Sequence, residues 1–301
     1  MGVESGEELQ AVLAAVTTAL PISDRAADPH TLEAGAGALV IQIGTTIVRV
    51  ARDDEGRRRQ ELEIRLLPIL AGRLPAAVPG PLTVLEPVDA LPFGAVTYPF
   101  IPGRPLMPGD EETWPALAGD LAHLLASVHG TPVSRATAVG VPIWNAAERM
   151  DALRDDTEQC LAAALSPEER DAFAGRWTDA AAALALHSPA SVLSHGDPWY
   201  DNLLIDPTSG RIVGVLDFAH AVIADPALDL AAVFHMGEHF GNAVVQGYEE
   251  RRGRDASLRG RIAAHRLVRE IAGLADALVN SPDEVPDQVT KIRVLVQLST
   301  N

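Results

Sequence analysis

The chain has 301 residues, 47% of them apolar, which is enough for a well-buried core and excludes a disordered chain. Its 41 acidic and 24 basic residues give a net charge of −17, which excludes a nucleic-acid binder, whose partner requires a basic surface. No apolar run reaches bilayer length, the acidic start "MGVESGEELQ" lacks the basic flank and apolar stretch of a signal peptide, and the lone Cys160 forbids an intrachain disulfide, so a cytoplasmic protein with no membrane partner is expected.

Residues 7–20 have helical spacing and end at Pro21. "ALVIQIGTTIVRVAR" (38–52) is two β-rich runs joined at Gly44-Thr45, and predicts a hairpin. "RRRQELEIRLLPILAGRL" predicts a helix closed by Gly72 and Pro75, and "GAVTYPFIPGRPL" (94–106) a strand broken by a Pro/Gly cluster. Helix, hairpin, helix and strand make a small α+β lobe. Beyond Gly109 helices dominate: "TWPALAGDLAHLLASVHG" stops at Gly130, and residues 145–187 are Ala-rich. Cys160, within the Ala-rich stretch, reads as a packed thiol. A boundary is expected near residue 100, dividing residues 1–100 from 101–301. Lys291 is the only lysine, so arginine carries nearly all the positive charge.

The stretch "VLSHGDPWYDNLLID" (192–206) sets His195, Asp197, Asp201 and Asn202 between two apolar runs. Just downstream, "LLIDPTSGRIVGVLDF" is a pair of apolar runs around a Pro-Thr-Ser-Gly turn, which predicts a β-hairpin. Its first strand begins after Asn202 and its second ends at Asp217, so antiparallel pairing sets those two residues side by side, with Asp197 in the loop feeding the same end. Taken singly, these are ordinary turn and cap residues. Together they are oxygen ligands suited to Mg²⁺ and an acid able to take a proton from an attacking hydroxyl, which is most of what phosphoryl transfer asks of a protein.

The motif "HGDPWYDN" fits H-G-D-x-x-x-x-N and, with "VLDFAHAVIADPALDLA" after it, resembles the aminoglycoside phosphotransferase family. Choline kinases and, more distantly, protein kinases are related to that family, and macrolide and peptide-antibiotic phosphotransferases share its framework. The resemblance implies a two-lobed, protein kinase-like α+β fold. Residues 1–100 would form a small β-rich lobe for the nucleotide, and 101–301 a larger, mainly helical catalytic and acceptor lobe. Asp197 becomes the catalytic acid/base and Asn202 and Asp217 the metal ligands. His195 braces the loop, and Asp225 and Asp229 tie it to the next helix; an N-cap is equally expected of Asp225. Family members carry a basic residue, usually lysine, on the third strand, paired with a glutamate on the following helix. Here Arg49 and Glu63 match, although Arg49 also fits a plain surface strand position beside inward Val48 and Val50. "EAGAG" (33–37) is either the phosphate-covering turn or a simple turn. "YPFIPG" (98–103) falls at the interlobe hinge, so backbone groups of Pro99, Phe100 and Ile101 are expected to face the purine, Pro99 through its carbonyl only.

The implied reaction is ATP- or GTP-dependent O-phosphorylation of a small hydroxylated molecule, an antibiotic inactivated by the modification. The net charge is compatible with an aminoglycoside or similar cationic compound, or serves solubility alone, with a macrolide or a metabolite as the alternative acceptors. Glu238, Glu270 and Asp276, on the C-terminal helices, would meet the acceptor's ammonium groups or else form solvated helix faces. A competing motif, "HMGEH" (235–239), matches the inverted zinc-protease signature H-x-x-E-H. On one helix, His235 and His239 would share a face, with Glu238 between them and Glu270 as a candidate third ligand, giving a zinc hydrolase. A third reading is a kinase-like binding module without activity, against which Asp197, Asn202 and Asp217 are all present.

Overall fold

The alternation of residues 38–51 becomes a hairpin whose inward side chains are Leu39, Ile41, Ile43, Val48 and Val50. In this computed structural model the described residues are 6–34, 38–114, 116–186 and 191–297. The first elements are α1 (Gly6–Val16), β1 (Pro29–Ala34), β2 (Ala38–Ile43), β3 (Thr46–Ala51), α2 (Asp54–Leu70), β4 (Thr83–Leu85), β5 (Ala95–Pro99), β6 (Arg104–Pro105) and α3 (Asp110–Thr113). Helices α4 (Leu117–Val128), α5 (Val133–Ala138), α6 (Ala146–Ala164) and α7 (Pro167–Leu186) follow. Short strands β7 (Val192–Ser194), β8 (Leu203–Ile205), β9 (Ile212–Val215) and β10 (Val222–Ala224) come next. The chain closes with α8 (Ala227–Ala232), α9 (Glu238–Arg252), α10 (Leu258–Asn280) and α11 (Val285–Gln297). No helix among the described residues is long and apolar enough to cross a membrane.

The chain forms two compact units that are not two consecutive segments split near residue 100. The first comprises Met1–Asp120, Ser134–Val141 and Trp199–Ala221; the second comprises Leu121–Val133, Pro142–Pro198 and Val222–Asn301. The hairpin β8–β9 returns to the first unit because β8 pairs with β6, and Ala77 and Val213 bond backbone to backbone at 2.9 Å.

The first unit holds a five-stranded antiparallel sheet in the order β1-β2-β3-β5-β4. Its core joins Val12, Val16 and Leu20 to the inward residues of β2 and β3 and to Leu91 and Ala95. The predicted turn at Gly44-Thr45 is held by Asp24, a buried acid whose Oδ2 accepts from Thr45 N–H and Oγ1 and from Thr46 Oγ1 at 2.8–3.0 Å. Gly44 has φ 58°, and a Cβ there would sit 2.8 Å from the Asp24 carboxyl, so the turn requires glycine. Sequence periodicity missed the two outer strands. β1, "PHTLEA", has little apolar alternation, and β4 has only three residues; both take their form from pairing with a central neighbour. Helix α2 begins at Asp53, whose side chain accepts from Gly56 N–H at 2.6 Å, and buries Gln60, Leu62, Glu63, Leu66, Leu67 and Leu70.

The second unit is mainly helical. Its core packs Met150, Leu153 and Leu161 of α6 and Trp177 and Ala180 of α7 with Ala264, Leu267, Val268, Ile271 and Leu274 of α10 and Val289, Ile292 and Val296 of α11. The short antiparallel pair β7–β10 also belongs to it.

Candidate functional site

In the first unit, β3 alternation turns Val48 and Val50 inward and sends Arg49 to the opposite face. That face is not plain solvent. Arg49 Nη1 lies 2.7 Å from Glu63 Oε2 of α2, and Nη2 lies 3.2 Å from Asp217 Oδ1. The other Glu63 oxygen accepts from Phe218 N–H at 3.0 Å. Gln60, one turn before Glu63, donates to the Arg49 carbonyl at 2.8 Å. Glu63 is 1% exposed, and burial pushes its carboxyl up to about 7 although Arg49 pulls the other way. Burial acts against the Arg49 charge as well, but the Glu63 and Asp217 carboxylates outweigh it and hold the guanidinium above its ordinary value.

The hairpin β8–β9 pairs Leu203 with Val215 and Leu204 with Gly214. Asn202 and Leu216 face each other at its open end, where Leu216 N–H donates to the Asn202 carbonyl at 2.8 Å, and Asp217 follows directly. Its closed end turns on Asp206, whose side chain accepts from Thr208 N–H and Ser209 N–H at 3.0 and 2.7 Å. Asp217 has φ 59° and ψ 64°, the left-handed region that non-glycine residues rarely occupy, and it is the only such non-glycine residue among those described. A strained aspartate closing a strand beside an asparagine is a common signature of a functional site. The hinge differs from expectation at one atom. Phe100 N–H donates to the Thr45 carbonyl at 2.8 Å, so sheet pairing uses this amide and it does not face a purine. Residues 35–37 of the 33–37 turn lie outside the described residues.

In the second unit, the loop after β7 carries His195 and Asp197. Asp229, at the start of α8 and fully buried, accepts from His195 N–H at 2.8 Å and Gly196 N–H at 2.9 Å. A carboxylate offers no proton, so His129 donates to the same carboxylate through Nε2 at 3.0 Å, and its Nδ1 shares a hydrogen bond with Tyr248 Oη at 2.8 Å. Burial opposes the Asp229 charge, but these donors outweigh it and hold the carboxyl below its ordinary value. His195, 1% exposed, accepts from Asp197 N–H through Nδ1 at 3.2 Å, which is the bracing expected of it. Asp225 accepts from Ala227 N–H at 2.8 Å, a capping contact, and also pairs with the buried Arg261 of α10 at 2.6 Å, which the sequence reading did not foresee.

Asp197 Oδ1 lies 3.0 Å from Arg269 Nη2 of α10. Glu238 pairs with Arg266, whose guanidinium stands 4.4 Å above the Phe234 ring. Glu270 Oε1 faces His235 Nε2 at 3.4 Å. Burial, then the charges of Arg269, Lys291 and Arg266, bring the His235 imidazole down to about 4, while burial raises Glu270. That contact therefore joins a largely neutral imidazole to Glu270 and is not a strong ion pair. Asp276 is exposed and accepts from Asn280 at 2.7 Å. The sequence reading missed Arg266, Arg269 and His129. The first two share a helix face by their spacing of three, but nothing local names their partners.

The zinc reading requires correction. His235 lies within a 3₁₀ turn that runs from Val233 to Met236, Gly237 interrupts the helical run at φ 104°, and Glu238 and His239 open α9, so the two histidines do not share a helix face. No group of three or more His, Cys, Asp or Glu side chains among the described residues is placed to hold a metal ion.

The profile of the phosphotransferase enzyme family, APH, matches residues 30–265. No curated protein matches the chain in sequence. Among solved structures, the GDP and kanamycin complex of APH(2″)-IIIa is similar with a TM-score of 0.80 at 21% identity, over 95% of this chain and 98% of that one. Macrolide 2′-phosphotransferase MphH from Brachybacterium faecium is similar with a TM-score of 0.64 at 22% identity, over 97% and 99%. The gentamicin–APH(2″)-IIa complex has a TM-score of 0.71 at 16% identity, over 100% and 98%. These likenesses establish an α+β, protein kinase-like fold, as expected from the motifs.

Proposed function

Because the chain belongs to the phosphotransferase enzyme family, we propose that it transfers the γ-phosphoryl group of ATP or GTP to a hydroxyl of a small-molecule antibiotic. The observation that carries this reading is the network in which Arg49 bridges Glu63 and Asp217. An arginine held by a buried glutamate on one arm and ending beside an aspartate on the other is suited to polyphosphate, whose oxygens accept from the guanidinium fork. The arginine takes the position that carries a lysine in most of the family.

Asn202 and Asp217 supply an amide and a carboxylate oxygen at one hairpin mouth, a donor set that fits Mg²⁺. When bound, the ion would supply positive charge to offset that of the phosphates. Asp197 would accept the acceptor's hydroxyl proton while the new O–P bond forms and the bond to the departing nucleoside diphosphate breaks. His195 and Asp229 would fix the loop that presents Asp197. Backbone groups of Pro99 and Ile101 and the Phe100 carbonyl remain available in this proposal to border the base.

The antibiotic class is supported by the solved structures that hold kanamycin and gentamicin and by the macrolide enzyme. The need for a nucleotide donor supports a cytoplasmic site of action. The test is transfer of labelled γ-phosphate from ATP and GTP, with Mg²⁺, to kanamycin, gentamicin, streptomycin and erythromycin. A phosphorylated antibiotic is the expected product. Absence of both saturable Mg-nucleotide binding and transfer refutes the proposal.

A further inference from the structure

The acids on the acceptor side of the second unit are already answered by bases. Asp197 is held by Arg269, Glu238 by Arg266, and Glu270 faces an imidazole. Arg266 and Arg269 stand one turn apart on α10, and Lys291 of α11 acts on the same His235 and Glu270. Glu270 is 8% exposed, which leaves little of its carboxyl for a ligand. Asp276, two turns beyond Arg269, is bound up with Asn280.

Two length scales then oppose each other. The net charge of −17 draws cations from a distance, a field that salt screens over about 10 Å. At the site itself an arriving ammonium group meets a carboxylate whose Oδ1 already has a guanidinium 3.0 Å away, and must share it or displace that cation. Further ammonium groups on the same molecule meet Arg266 and Lys291. A hydroxyl on a scaffold poor in amines meets Asp197 without that competition.

We propose that Arg269 is a specificity-determining residue: it occupies at Asp197 the place an acceptor's ammonium group would take, so the favoured acceptor presents its hydroxyl on a scaffold with one basic amine or none. This rests on the phosphotransferase reading above and narrows its acceptor class. Long-range attraction sets how often polycations arrive, and Arg269 sets which acceptors are used.

The test compares kcat/KM for erythromycin, with one amine, and kanamycin, a polycation, in the full-length protein and in Arg269→Gln, Arg269→Lys and Arg266→Gln. Reading the ratio between two acceptors cancels any effect of Arg269 that both acceptors share. The wild type is expected to favour erythromycin by at least about 10-fold, one charged contact's worth. Arg269→Gln should shrink that preference by a similar factor, through the KM for kanamycin. Arg266→Gln, which releases Glu238, should move the ratio the same way. Arg269→Lys, which keeps the charge, should preserve it and serves as the folding control. A wild-type preference for kanamycin, or the same ratio in Arg269→Gln, overturns the charge filter and leaves the phosphotransferase reading intact. Transfer to neither antibiotic, with Mg-nucleotide bound, overturns both the filter and the antibiotic acceptor.

Discussion

Replacing Arg49 with alanine should produce a stability defect that grows with pH. Glu63 is 1% exposed, and its carboxyl sits at about 7 even with the guanidinium 2.7 Å away, against an ordinary value of 4.5. Removing the guanidinium deletes the main influence opposing burial, so the variant's Glu63 holds its proton to a still higher pH. An acid whose folded pKa exceeds its unfolded value binds more protons when folded, so its contribution is complete below 4.5 and is lost as pH rises through the folded value. In the wild type that loss is over by about pH 7; in the variant it continues. Near pH 6 both folded proteins hold the proton, and the variant is weaker by its lost charge-assisted bonds, about 1.5–3 kcal/mol. At pH 8.5 the divergence adds about 1.4 kcal/mol per unit above 7, or roughly 2 kcal/mol more. Urea unfolding of chelator-treated protein, followed by circular dichroism at the two pH values, reads the gap between variant and wild type. Arg49→Lys should keep that gap nearly flat. A gap that stays constant or narrows at pH 8.5 would show that Arg49 does not compensate Glu63.

Other variants separate the roles of the remaining residues. Asp197→Ala should retain Mg-nucleotide binding by calorimetry while transfer falls by about 10²–10⁴-fold, the usual worth of a positioned base; full activity would remove it from the chemistry. Asp217→Ala should bind nucleotide equally with and without Mg²⁺, and an undiminished Mg²⁺ dependence would assign the metal elsewhere. Asp229→Ala leaves the amides of His195 and Gly196 and the His129 ring without their acceptor in a buried position. At about 1–3 kcal/mol per orphaned group it should lower the calorimetric melting temperature by many degrees, whereas a small shift would mean the loop is held by other contacts.

The hairpin mouth was legible because its causes are local. A four-residue turn and antiparallel register suffice to set Asn202 opposite Leu216, the residue before Asp217. The Arg49–Glu63 pair was legible only through the family resemblance, since strand alternation by itself describes an outward arginine equally well. Contacts made across long stretches of chain left no local trace. His129 reaches Asp229 a hundred residues away, and Arg269 reaches Asp197 across 72. The zinc motif misled because its spacing presumes a continuous helix, which Gly237 interrupts. Sheet pairing redirected Phe100, whose amide had been expected at the nucleotide.

The proposed place of Arg49 at the nucleotide also bears on how the protein can be labelled. Reagents that carry an acyl group on a nucleotide phosphate mark their targets by acylating a nearby lysine amine, and a guanidinium is a poor nucleophile for them. Such chemistry would pass over Arg49 even with a nucleotide bound beside it. The same scarcity has a use. Lys291 is the chain's only lysine side chain and is exposed, so an amine-reactive fluorophore, with the terminal amine blocked, lands on α11 beside the residues that face His235 and Glu270. One dye per molecule would then report directly on what enters the acceptor side.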